Sequence, residues 1–205
     1  MNYIFDFDGT LFDSTDYFFE IFNKVFEHLG IPKISVDQYQ AARSLTLLSA
    51  ISELGVEGDD VPRLVSFFKK ALADRTGLIK PLPGVAESLP ALAKRGSLGI
   101  LTSNTEQNVR TALDKHELTR WFDFVVGDSS VRSKASDIKR ICSDYGFSVE
   151  STVYVGDEIR DIESAIGVGM PCVAVASGFN TYKALKRAEP AYAVESFDDL
   201  LDLDF

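Results

Sequence analysis

The sequence predicts an α/β fold, a parallel sheet layered between helices, with a small helical unit inserted after the first strand. Three observations lead there. An apolar run near the amino terminus suits a buried strand and leads directly into Asp6-Phe7-Asp8-Gly9. Residues 14–80 then show helical spacing and no strand pattern. From residue 81 onward, helices alternate with short apolar strands, as they do where parallel strands are joined by crossover helices. The expected division is residues 1–13 and 81–205 as an α/β core, with residues 14–80 as a helical cap.

In the inserted stretch, Phe18, Phe19, Phe22, Val25, Phe26 and Leu29 follow helical spacing, and Gly30-Ile31-Pro32 stops the run. So many apolar residues on one stripe indicate core rather than a cofactor site. A second helix is expected through Leu45, Leu48, Ile51 and Leu54, ending at Gly55. A third starts at Asp59-Asp60-Val61-Pro62, with an acidic cap and an early proline, and buries Leu64, Val65, Phe68 and Leu72. Pro81-Leu82-Pro83-Gly84 reads as a stiff return linker.

Val85 to Arg95 is the next helix, with Pro90 expected to remove one hydrogen bond and bend it. Strands are expected at Leu98–Leu101, Phe122–Val126, Thr152–Val155 and Pro171–Val175. Helices are expected over Asn104–His116 and through Ile138, Ile141 and Tyr145, and the tail from Ala191 adds a last strand and a short helix.

A chain of 205 residues with 45% hydrophobic and 25% charged residues can bury a full core. Its net charge of −10 argues against nucleic acid or an anionic membrane surface as a partner. Small anionic substrates stay open, because a metal or lysine can invert the field within one cleft. Cys142 and Cys172 lack metal-ligand spacing and sit in apolar patterns, as buried reduced thiols do. With no apolar stretch long enough to span a bilayer and no basic-apolar leader, a cytoplasmic protein is expected, monomeric or homodimeric.

In α/β sheets, ligands gather at the carboxyl ends of the strands. Asp6 and Asp8, two apart in an extended segment, project to one side, and their repulsion and lost solvation make a purely structural role costly. Thr102-Ser103-Asn104 follows the next strand and offers hydroxyls and N–H groups to an anion. Gly156-Asp157-Glu158-Ile159-Arg160-Asp161 follows another, with hard oxygen ligands suited to Mg2+. Taken singly, each piece has a plain explanation as a cap or turn, and Lys134 as a solvated lysine. Their order at successive strand ends makes coincidence a poor account.

These residues resemble the four motifs of the haloacid dehalogenase superfamily, and within it the phosphoglycolate-phosphatase-like branch. The motifs are Asp6-Phe7-Asp8-Gly9-Thr10, Thr102, Lys134, and Gly156-Asp157 with Asp161. Leu82-Pro83-Gly84-Val85 and Ser177-Gly178-Phe179 also look like family features, while Ala135 stands where many relatives have proline.

The resemblance implies a Rossmann-like three-layer core and a Mg2+-dependent phosphatase acting on a small phosphorylated substrate. It implies Asp6 as nucleophile forming an aspartyl-phosphate, and Asp8 as acid/base. Mg2+ would be held by the Asp6 carboxylate, the Asp8 carbonyl and Asp157. Phosphate would be held by Thr102, Ser103, Asn104 and Lys134, with Asp161 and Glu158 behind them. Separately from the resemblance, Arg43 and Ser44 could face the substrate from the cap, or serve instead in a surface or capping role.

Dehalogenases lack the second aspartate, present here as Asp8. Lys24 and Lys33 exist as cap lysines, but the first motif does not resemble the phosphonate-hydrolysing branch. Phosphosugar mutases carry a histidine where Phe18 stands here, which leaves mutase activity as the runner-up. A receiver-like phospho-acceptor is disfavoured by the helical insertion and by the acid two residues beyond Asp6.

Overall fold

In the computed structural model, described for residues 1–205 except Asp59, Asp74, Thr76 and the side chain of Asp16, six parallel strands form the central sheet. They are β1 (Asn2–Phe5), β4 (Leu98–Leu101), β5 (Phe124–Val126), β6 (Thr152–Gly156), β7 (Cys172–Val175) and β8 (Tyr192–Val194). Two further short strands, β2 (Phe12–Asp13) and β3 (Lys80–Pro81), pair antiparallel.

The sheet order is β5-β4-β1-β6-β7-β8, so β1 lies inside it, with Phe5 paired to Ile100 on one side and Val155 on the other. The chain runs outward from β1 through β4 to β5, then returns to β6 on the opposite flank. The strand order therefore reverses around β1, where α/β sheets open a crevice for ligands.

Alternation along the strands divides the core into two layers. Tyr3, Phe5, Ile100, Val153 and Val173 face α5 (Val85–Ala93) and α6 (Glu106–Lys115) through Leu89, Leu92, Val109 and Leu113. Ile4, Leu101, Tyr154 and Cys172 face α7 (Ala135–Tyr145), α8 (Ile159–Ile166) and α9 (Tyr182–Arg187) through Ile138, Ile141, Ile162 and Leu185. Gly99 is required within β4, because a Cβ there would overlap the Phe124 ring. Pro90 sits inside α5, which continues through it.

Between β2 and β3 the described residues form four helices: α1 (Thr15–Leu29), α2 (Val36–Ala42), α3 (Leu47–Glu53) and α4 (Asp60–Ala73). The expected stripe of α1 is buried at Phe18, Phe22, Val25 and Phe26, and Gly30 closes the helix in the left-handed region at φ 72°. These helices form their own apolar cluster, to which the sheet domain adds Phe179. The helix α2 was not expected from the pattern, although Ser35 and Gln38 form a capping box at its start. Asp59, the expected cap of α4, lies outside the described residues. Where a linker was expected at Pro81, Lys80–Pro81 instead pairs with Phe12–Asp13. Among the described residues, no helix is long and apolar enough to cross a membrane.

Candidate active site

The carboxyl ends of β1, β4 and β6 meet at one cavity, whose polar side includes Asp6, Asp8, Thr102, Ser103, Asn104, Glu158 and Arg160. Asp6 follows β1 directly, tied by its N–H to the Val155 carbonyl at 2.8 Å. It is 3% exposed. Its Oδ1 accepts from the Phe7 N–H at 2.7 Å, and its Oδ2 lies 2.8 Å from Lys134 Nζ.

Lys134 precedes α7 and is fully buried, not solvated. Its backbone N–H donates to Ser164 Oγ, and its ammonium donates to the Tyr154 hydroxyl at 2.9 Å. That hydroxyl donates onward to the Leu101 carbonyl. Asp161 Oδ1 stands 2.9 Å from the same ammonium. Burial alone would lower the Lys134 pKa; the charges of Asp161 and Asp6 more than offset it and hold the pKa above the usual lysine value. The lysine is therefore a fixed cation beneath Asp6.

Asp8 differs. It is partly exposed toward the cavity; its Oδ2 accepts from Asn104 Nδ2 at 3.0 Å, and its Oδ1 has no partner. Burial, and then the neighbouring Asp6 charge, push its pKa up to about 6. A carboxyl so placed can carry a proton near neutral pH and release it. Asn104, expected to contact phosphate, thus spends its side-chain amide on Asp8. Thr102 Oγ1 accepts from the Asn104 N–H, and Ser103 Oγ accepts from Arg160 at 2.9 Å, so both hydroxyl protons stay available.

Asp157 directly follows β6, with both oxygens engaged. Oδ1 accepts from Thr10 Oγ1 at 2.8 Å and Oδ2 from the Phe179 N–H at 2.7 Å. Glycine is required at two positions that crowd it. A Cβ at Gly9, where φ is +79°, would stand 2.5 Å from Asp157 Oδ2, and one at Gly178 would overlap that carboxylate. Burial, followed by the charges of Asp6 and Glu158, raises the Asp157 pKa well above the usual carboxylate range. One carboxylate oxygen from each of Asp6, Asp157 and Asp161 lies within 4.8 Å of the other two.

Around these sit Asp8 and Glu158, so five acids gather against two buried cations, Lys134 and Arg160. A hard dication with oxygen ligands fits both the donor set and the excess charge.

Four contributors carry roles that the sequence did not assign them. Thr10 orients Asp157. Arg160 is 6% exposed and spans three loops, donating to Ser103 Oγ, the Ser130 carbonyl and Glu158 Oε1. Phe179 presents its N–H to Asp157, and Asn180 donates to the Arg43 and Leu45 carbonyls. The Ser177-Gly178-Phe179 stretch signalled Phe179, and nothing in the sequence singled out Asn180. Neither Arg43 nor Ser44 lines the cavity; the Arg43 guanidinium donates to the Phe179 carbonyl at 2.8 Å and the Gly178 carbonyl at 3.1 Å.

The family model for haloacid dehalogenase-like hydrolases matches residues 3–175, taking in all of these strand ends. The chain belongs to that family. A phosphoglycolate phosphatase of Synechococcus elongatus is 34% identical over 199 residues, spanning 97% of this chain and 94% of its own. Phosphoglycolate phosphatase 1 of Pseudomonas aeruginosa is 25% identical over 97% of this chain and 77% of its own. A haloacid dehalogenase-like family hydrolase from Streptococcus pneumoniae superimposes with a TM-score of 0.81 at 22% identity, over 98% of this chain and 96% of that one, and shares the fold. Within this hydrolase family the chain is an enzyme, a phosphatase.

Proposed function

We propose that the protein hydrolyses a small phosphomonoester through an aspartyl-phosphate on Asp6, with Mg2+ as cofactor. The observation that carries this is the pairing of two unlike aspartates at one strand end. Asp6 is fixed on Lys134, whereas Asp8 has a raised pKa and an oxygen left without a partner.

Asp6 attacks phosphorus, and the bond to the leaving oxygen breaks as Asp8 gives that oxygen its proton. Asp8, now a carboxylate, takes a proton from water, whose oxygen attacks the aspartyl-phosphate. Inorganic phosphate leaves and Asp6 returns to a carboxylate. Lys134 neutralises charge beside Asp6 throughout, and Asp161 holds its ammonium in place. The hydroxyls of Thr102 and Ser103 bind phosphate oxygens, while Asn104 steers Asp8. The Asp6 carboxylate, Asp8 carbonyl and Asp157 would hold Mg2+, with Asp161 and Glu158 behind them. When bound, the ion offsets repulsion between nucleophile and phosphate.

Residues 14–80 serve as a cap over a core of residues 1–13 and 81–205, and their helices supply the far wall of the cavity. Such a cover favours small phosphorylated metabolites over macromolecular ones. Phosphoglycolate, the substrate in the relatives' names, and sugar phosphates are the first compounds to test. A screen of phosphorylated metabolites, with and without Mg2+, should show turnover that vanishes in Asp6→Asn while the fold survives. Activity that persists in that variant, or that ignores chelation, sinks the mechanism.

A further inference from the structure

We infer that Lys69 is a specificity-determining residue, whose ammonium binds a carboxylate carried on the part of the substrate that leaves. This rests on the phosphatase reading and deepens it.

In-line attack by Asp6 puts the leaving oxygen on the far side of phosphorus. Asp6 stands at the end of β1, so the leaving group points away from the sheet, toward α1 and α4 across the cavity. Among the described residues, the lining that these helices supply is apolar apart from one charged group, Lys69. It lies one helical turn beyond Val65 on α4, and both side chains line the cavity.

Two cations line the cavity among the described residues, and they differ in what they have to spare. Arg160 is 6% exposed, and its terminal nitrogens are spent on Ser103 Oγ, the Ser130 carbonyl and Glu158 Oε1. Drawing it away strands a largely buried Glu158. Lys69 carries three protons on its ammonium. One goes to Asp128 Oδ1 at 3.0 Å, and the described residues give the other two no partner. The Asp128 side chain is 64% exposed, so water takes the place of the lysine there at little cost. Asp128 is also anchored to the core, its N–H donating to the Asn104 carbonyl at 2.8 Å. A carboxylate on the substrate thus meets idle protons at once, and competes with Asp128 only for a pair worth little.

Two nonhydrolysable phosphonates of nearly equal size separate this role from a mere tie between cap and core. The first, 3-phosphonopropionate, copies phosphoglycolate with a methylene for the ester oxygen. The second, 3-phosphonopropionamide, has a neutral amide in place of the carboxylate. Calorimetry on the Mg2+-loaded protein should find the carboxylate bound roughly tenfold more tightly, the size expected of a hydrogen bond to a charged group. Lys69→Met should bring that ratio close to unity. Asp128→Asn removes the competitor and should raise it. Circular dichroism checks that both variants fold.

Equal or weaker binding of the carboxylate by the unaltered protein overturns the inference, as does failure of both compounds to bind. So does a ratio that Lys69→Met leaves unchanged or that Asp128→Asn lowers. If both variants weaken both compounds alike, the pair is only a tie between cap and core, and the inference falls. The expected ratios in a protein that hydrolyses no phosphomonoester would overturn the phosphatase reading and leave the role of Lys69 standing. Hydrolysis with a flat ratio would do the reverse.

Discussion

Replacing Lys134 by methionine removes the one cation in contact with both Asp6 and Asp161 and leaves these carboxylates buried without it. The lysine has no exposed surface, and its ammonium lies 2.8 Å from Asp6 and 2.9 Å from Asp161. Methionine preserves most of the volume, so packing changes little and the loss is chiefly electrostatic. Breaking a buried ion pair by deleting one partner costs about 3–5 kcal/mol. In a chain of this size each kcal/mol moves the melting temperature by roughly 2–4 °C, so a fall on the order of 10 °C is expected.

Urea unfolding of the metal-free protein at pH 7 measures the loss directly. It should shrink toward pH 5, since the stranded acids can protonate and shed their charge. Saturating Mg2+ should recover part of it by supplying positive charge beside Asp6. A variant within about 1 kcal/mol of the parent at pH 7 would refute the reasoning, because a lysine lost so cheaply cannot be neutralising two buried acids.

Three further outcomes follow from the site. In the metal-free protein Asp8 and Asp157 have pKa values above those of the unfolded chain, so their contribution to stability is greatest below about pH 4 and is lost as pH rises through about 6 for Asp8. Urea midpoints in EDTA should therefore be higher at pH 5 than at pH 7, with Mg2+ flattening the difference; the reverse order would count against the raised values. Gly178→Ala drives a methyl group into the Asp157 carboxylate and should weaken Mg2+ binding about 10- to 100-fold by calorimetry, with little effect expected if Asp157 holds no metal. Arg43→Ala removes two bonds from the helical unit to the Gly178–Phe179 carbonyls and should raise amide exchange across residues 177–181, while unchanged exchange would show that these contacts do not restrain the loop.

The sequence made the chemistry legible more readily than the architecture. Asp6, Asp8, Thr102 and Asp157 follow strands whose apolar runs are unmistakable, so their meeting at one edge follows from parallel pairing. The order of the strands does not follow, because it depends on contacts between segments up to 150 residues apart. Helix α2 was missed because only Tyr39 and Ala42 are buried in it, too few to make a stripe. Lys134 sits in the polar run Arg132-Ser133-Lys134-Ala135-Ser136-Asp137, and nothing local marks it as buried. The acids that pair with it, Asp6 and Asp161, lie far from it and from each other along the chain. The same distance hid Arg160, whose partners Ser103 and Ser130 come from other strand ends.

The pairing of Phe12–Asp13 with Lys80–Pro81 has a consequence for how such a protein can diversify. The chain departs and returns through one antiparallel ladder, its two sides about 5 Å apart. Everything between is a cassette spliced at a single joint. A different set of helices, or a tight turn in their place, can occupy that joint while Phe7, Leu11 and Phe12 stay packed in the sheet's own core. On the proposed function, recognition and bond-breaking then sit in separable parts, and one can be rewritten while the other is kept.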